Sequence, residues 1–259
     1  MTDRLLSGRH AIVTGGGRGI GAAVSVALAE LGANVTVMGR DRKRLDEQAA
    51  RLKASGIQAQ AVRCDVADRD AVAGAFGEAK KQLGEVHILV NNAGIAEGAP
   101  FTETTLDLWD RTIATNLTGT FLCMKQVVPA MIAAKAGRIV NIASLSGLKA
   151  FQTVSAYTAS KHGIVGLTKV VALETAKTGV TVNAVCPAYT DTDMARHAVD
   201  TIMKSGKSEQ EARETIVRTI PRGRLITPEE VASTVAWLCT PGASGVTGQA
   251  ILVAGGAGL

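Results

Sequence analysis

Tyr157 and Lys161 stand four residues apart in a stretch that reads as a helix, Ala156–Lys177, so their side chains share one face. A free phenol titrates near about 10, too high for a base at neutral pH. An ammonium one turn away stabilises the phenolate and brings that value down, and Tyr157 then becomes a group that can give or take a proton. Ser144 follows the β-branched run Arg138–Ile142, and Asn116 lies in a long apolar helical stretch before it. Far upstream, a strand-like run leads directly into Thr14-Gly15-Gly16-Gly17-Arg18-Gly19-Ile20-Gly21. Glycines at 15, 19 and 21 permit a tight turn, close approach by a ligand and close helix packing. The free N–H groups and positive end of the helix that follows suit a pyrophosphate.

The elements that must carry these groups alternate along the chain. Strands are expected at His10–Thr14, Asn34–Met38, Gln58–Cys64, Val86–Val90, Arg138–Ile142, Val180–Val185 and Ile251–Val253. After the first comes a 3.6-period stripe, Ile20, Ala23, Val24, Ala27, Leu28 and Leu31, stopping at Gly32. Asp41 begins a charged helix with an inner face of Leu45, Ala49 and Leu52, and further helices are expected near Asp70–Leu83, Leu106–Lys135, Ala156–Lys177 and Pro228–Cys239. The last opens on a capping box, with Thr227 at N-cap, Pro228 at N1 and Glu230 at N3. Such alternation predicts one α/β domain spanning 1–259, with a doubly wound, seven-stranded parallel sheet and helices on both faces. Only 190–226 breaks the rhythm. It is polar, charged and locally helical, and reads as a cap over the site.

The GxxxGxG spacing of the loop, Asp65-Val66, Asn91-Asn92-Ala93-Gly94 and the ordered set Asn116, Ser144, Tyr157 and Lys161 together resemble the short-chain dehydrogenase/reductase family over nearly the whole chain. The resemblance implies a single Rossmann-type domain and a catalytic tetrad. Tyr157 would protonate a carbonyl oxygen in reduction or accept that proton in oxidation. Ser144 would hydrogen-bond the same oxygen, Lys161 would hold the nicotinamide ribose and tune Tyr157, and Asn116 would hold a water that relays protons. Asp65 would contact the adenine amino group, Asn92, Ala93 and Gly94 would line the cofactor cleft, and Thr190 and Thr192 would contact carboxamide and phosphate. Two departures stand out. Pro187-Ala188 replaces the family's Pro-Gly, and Ala254-Gly255-Gly256 replaces Asp-Gly-Gly near a common tetramer interface. A homotetramer is expected by the same resemblance.

The second strand ends in Gly39-Arg40, where an NAD enzyme usually places a carboxylate for the ribose 2′-hydroxyl. With Arg18 in the loop, two guanidinium groups would converge on a 2′-phosphate and favour NADP(H). NAD(H), with both arginines as solvated surface charges, is the alternative.

Formal charge is +5, yet there are only 3% aromatics and no long basic run, so nucleic-acid binding is not expected. Cys64, Cys123, Cys186 and Cys239 lie far apart with no CxxC pair, which argues against a zinc site, or any metal, and against a disulfide framework. The opening residues lack a long apolar core and nowhere do 18 apolar residues run together. No membrane partner is expected, and the cytoplasm is the expected compartment.

The substrate is less constrained. Phrases such as Asn141-Ile142-Ala143-Ser144 and Ser160-Lys161-His162-Gly163 resemble bacterial 3-oxoacyl-thioester and polyketide ketoreductases, and also 3-hydroxybutyrate dehydrogenases. Reduction of a 3-oxoacyl thioester or related β-keto compound, carried on coenzyme A or a carrier protein, is therefore the leading expectation. Oxidation of a small hydroxy acid, hydroxyacyl-CoA or cyclic alcohol with NAD is the alternative. An idle NADP-binding regulator is a third reading, disfavoured because a sensor has no need of Tyr157.

Overall fold

The computed structural model describes residues 4–258. Seven strands, β1 (His10–Thr14), β2 (Asn34–Gly39), β3 (Ala59–Arg63), β4 (Ile88–Asn91), β5 (Gly137–Ile142), β6 (Val180–Pro187) and β7 (Ala250–Val253), form one sheet in the order β3-β2-β1-β4-β5-β6-β7. Every pairing is parallel, with Val13 flanked by Val37 on one side and Val90 on the other. The order reverses between β1 and β4, which opens a crevice at their carboxyl ends.

Alternation within the buried strands assigns each residue to a helical layer. Ala11, Val13, Val35, Val37 and Val90 pack with α1 (Gly19–Glu30), α2 (Arg42–Ala54) and α9 (Pro228–Cys239). Ile12, Met38, Leu89 and Ile139 point the other way, onto α3 (Arg69–Leu83) and α5 (Gly119–Ala134), with Ala172 of α6 (Ser155–Thr175) at the edge of that layer. Few aromatics are needed, because Ala, Val, Ile and Leu fill both layers. Asp41 caps α2 through Arg44 N, and the Thr227–Glu230 capping box opens α9 as its sequence requires.

The long stretch after β4 is not one regular helix, contrary to expectation. It divides into α4 (Leu106–Ile113), a π turn at Ala114–Thr118 and α5, which ends at Lys135 in left-handed backbone. No proline or glycine interrupts 106–118, so one extra residue leaves no mark in the helical pattern; such π turns concentrate at functional sites. Among the described residues, this run is the one helix long and apolar enough to cross a membrane, with mean hydropathy 1.3. Its Cys123, Met124, Val127 and Met131 pack in the sheet's second layer.

The stretch 190–226 forms α7 (Asp193–Met203) and α8 (Glu209–Val217). Val199, Ala212 and Ile216 give it a small core of its own, and a parallel bridge between Thr190 and Ile226 joins its two ends. It carries surface ion pairs such as Arg213–Glu209 and Arg218–Glu214.

Candidate active site

Thr14 closes β1, and its hydroxyl accepts from the backbone N–H of both Asn92 (3.0 Å) and Ala93 (3.1 Å). The Asn92 side-chain amide donates to Thr14 O at 2.9 Å and Gly15 O at 3.1 Å. The glycine loop is thus clamped to the end of β4 before its own helix begins. This clamp explains two glycines. A Cβ on Gly21 would lie 2.3 Å from Gly15 O and 2.5 Å from Asn92 Nδ2, and one on Gly15, where φ is +63°, would meet that same amide at 2.7 Å. Gly19, at φ +52°, faces the Thr192 methyl at 3.1 Å from its would-be Cβ. A cradle of exposed N–H groups, kept open by missing side chains at a helix N-terminus, fits the pyrophosphate of a dinucleotide.

At the reacting end, Lys161 is almost wholly buried, and its Nζ donates to Ile142 O at 2.8 Å. That bond anchors α6 to the carboxyl end of β5. The Nζ lies 5.5 Å from the centroid of the Tyr157 ring. Burial weakens the ammonium, bringing its pKa down to about 8. Burial likewise pushes the half-buried Tyr157 phenol above its usual value, a push that a hydrogen bond with the Ser144 side chain partly offsets. In the protein alone the phenol is therefore raised where a lowered one was expected: desolvation outweighs the Ser144 hydrogen bond. Ser144 also caps the short turn Leu145–Gly147 by accepting from Ser146 N at 3.0 Å. It is both a turn cap and a neighbour of Tyr157.

Asn116 sits inside the π turn, fully buried. Its Oδ1 accepts from Ile95 N at 2.9 Å, while Nδ2 donates to Ile95 O at 2.9 Å and to Ser160 Oγ at 3.0 Å. Ser160 in turn donates to Tyr157 O at 2.7 Å. Ser160 was not singled out from the sequence, although its place one residue before Lys161 on α6 was visible. Gly94 leaves this corner open, since a Cβ there would lie 3.2 Å from Asn116 Oδ1 and 3.7 Å from Lys161 Nζ. His162, by contrast, turns its ring to Thr158 O on an exposed face.

Asp65 holds its own turn by accepting from Ala67 N, and Val66 packs beneath it with a Gly119 that has no room for a side chain. Pro187 ends β6 in the core, while Thr190 and Thr192 bond back to Ala188 O and Thr190 O. The two departures from the family pattern meet in space. Ala254 packs with Leu145 and Ala257, and Ala188 and Phe151 lie against the same small cluster. Each methyl group therefore finds apolar partners beside Ser144.

The arginine corner holds partners that the sequence did not bring forward. The Arg18 guanidinium pairs with Asp193 at 3.0 Å, and Arg44 pairs with the same carboxylate at 3.2 Å. Arg40 is exposed. Arg44, absent from the sequence-based site, lays its stem against Gly17. No carboxylate stands at the end of β2 itself, where Gly39 meets Arg40.

Known proteins share this frame. The family model described as short chain dehydrogenase matches residues 9–202. The chain is 39% identical to the 3-oxoacyl-[acyl-carrier-protein] reductase of Synechocystis sp. over 97% of each chain. It is 40% identical to the cis-4-hydroxycyclohexanecarboxylate dehydrogenase of Sinomonas cyclohexanicum over 96% of each. The crystal structure of a single-substitution variant of actinorhodin polyketide ketoreductase with NADPH superposes with a TM-score of 0.94 at 39% identity, covering 100% of this chain and 99% of that one. With a glycine loop clamped at the β1/β4 crevice and a Ser–Tyr–Lys arrangement at the same sheet edge, the chain belongs to the short-chain dehydrogenase/reductase family of oxidoreductases.

Proposed function

We propose that the protein is an NADP(H)-dependent carbonyl reductase acting on a 3-oxoacyl thioester or a related β-keto compound. One observation carries this reading: a half-buried phenol, Tyr157, stands between Ser144 and the buried Lys161 at the mouth of the β1/β4 crevice. A protonated phenol beside a serine hydroxyl can give its proton to a carbonyl oxygen as that oxygen gains charge, the step a reduction needs.

Gly15, Gly19, Ile20 and Gly21 would hold the pyrophosphate, and Arg18, Arg40 and Arg44 would serve a 2′-phosphate. Asp65 and Val66 would meet the adenine, and Asn92, Ala93, Gly94, Pro187, Thr190 and Thr192 would line the nicotinamide side. When bound, the nicotinamide supplies the hydride. Ser144 would orient the substrate oxygen and Tyr157 would protonate it. Lys161, fixed by Ile142 O, would keep positive charge beside the phenol, and Asn116 would brace α6 and hold the relay water. Residues 190–226 would cover the substrate.

The named activities of the Synechocystis and actinorhodin relatives support the thioester and polyketide class and, for the latter, NADPH. The cyclohexanecarboxylate dehydrogenase supports a second reading, NAD-linked oxidation of a cyclic alcohol or small hydroxy acid. We place the protein in the cytoplasm, since four buried, unpaired thiols fit a reducing compartment. A homotetramer is supported by apolar side chains exposed on α5 and α6 (Phe121, Val170, Leu173) and on α9 and β7 (Trp237, Leu252).

A substrate panel assayed with both cofactors tests the reading. The expected result is NADPH consumption with acetoacetyl-CoA. Turnover confined to alcohols with NAD would favour the second reading. Tight NADPH binding without turnover across ketones and alcohols would favour a regulator.

A further inference from the structure

Asp193 is the first residue of α7, in the stretch 190–226, yet its carboxylate reaches across to the far side of the crevice. It accepts from Arg18 of the glycine loop at 3.0 Å and from Arg44 in the first turn of α2 at 3.2 Å. Arg196, one turn along α7, supplies a third guanidinium. Arg44 also touches Asp41 at 3.3 Å. The next residue back, Thr192, presses its methyl group against the open face of Gly19. One carboxylate thus gathers arginines from three elements, two of which frame the phosphate cradle. The three guanidinium groups hold its pKa down at about 2, so it is charged at any working pH. The cluster is exposed and wet, and such contacts exchange readily with a competing anion.

We propose that Asp193 tempers the cofactor preference by occupying Arg18 and Arg44 as an internal stand-in for a phosphate monoester. A dinucleotide with a 2′-phosphate displaces it, whereas one with a free 2′-hydroxyl leaves it in place. A dianion offers these guanidinium groups more charge and more acceptor oxygens than one carboxylate does. Displacement frees the start of α7 from the glycine loop, so the extra phosphate is sensed at the segment over the substrate. The inference rests on the NADP(H) preference proposed above, and adds to NADP(H) binding a displacement cost that NAD(H) does not meet.

Calorimetric titration of the wild type, Asp193→Asn and Arg44→Ala with NADPH, NADH and 2′,5′-ADP tests it, together with hydrogen exchange across 193–203. Asp193→Asn should bind NADPH and 2′,5′-ADP about three- to tenfold more tightly, with NADH changed less than about twofold. Arg44→Ala should weaken NADPH by about tenfold or more and spare NADH. NADPH and 2′,5′-ADP should speed exchange in the first turn of α7 in the wild type, NADH should not, and Asp193→Asn should exchange quickly without ligand. Wild-type binding that prefers NADH overturns the cofactor reading and this inference together. A wild-type preference for NADPH that Asp193→Asn leaves unchanged overturns this inference alone, as does α7 exchange that responds equally to NADH.

Discussion

The floor of the site and the segment above it are built by opposite means. The floor is a set of buried, single-purpose contacts: Lys161 on Ile142 O, Asn92 on the glycine loop, Asn116 between Ile95 and Ser160. The segment 190–226 is two amphipathic helices with a small core, laced by exposed ion pairs and tied down at its ends. Buried polar contacts are expensive to leave unmade, so the floor tolerates little change; exposed ion pairs contribute little, so the segment above can vary. On the function proposed here, reaction type is set below and substrate choice above.

Four substitutions or conditions would break or sharpen that contrast. The largest effect is expected from Tyr157→Phe, which should lower kcat by about 10²- to 10⁴-fold while shifting stability by only about 1 kcal/mol. Steady-state kinetics beside a denaturant melt checks both halves; a variant with near-normal turnover would remove Tyr157 from the chemistry. Gly21→Ala comes next, because its Cβ would sit 2.3 Å from Gly15 O. Forced separation of α1 from the loop should cost at least about 1–3 kcal/mol and weaken dinucleotide binding, both readable by melting with and without cofactor.

A smaller and reversible effect belongs to pH. Lys161 loses its charge as pH rises through about 8, whereas the raised phenol stays protonated beyond its ordinary range. The reductive kcat/KM should therefore hold level below pH 8 and fall about tenfold per unit above it. A profile still level at pH 10 would show that Lys161 is not needed as a cation. The smallest effect should come from the segment above. Arg213→Ala removes an exposed pair with Glu209 and should change stability by less than about 0.5 kcal/mol. A larger loss would mean that this segment is as tightly specified as the floor.

The same contrast separates what was legible in the sequence from what was not. Strand positions followed from β-branched runs, and the capping box before α9 from four residues read in order. The glycine loop and the pair Tyr157 and Lys161 are local in sequence, so spacing brought them forward, and their context and the family resemblance supplied their roles. The pairing of Arg44 with Asp193 spans 149 positions and depends on how α7 lies over the loop, which no local pattern encodes. The direction of the Tyr157 shift is a matter of burial, a tertiary property. The π turn stayed hidden because no proline or glycine interrupts 106–118, so one extra residue leaves no mark in the helical pattern.

That turn has a consequence for how the protein can change. A π turn is an α-helix with one residue inserted, so its natural opposite is a deletion and not a replacement. Removing one residue from 114–118 would let α4 run straight into α5 and turn one relative to the other by about 100°. Asn116 could then no longer face both Ile95 and Ser160, although no residue type had been altered. A scan of point substitutions would pass over this weakness, whereas a scan of single-codon deletions would meet it at once.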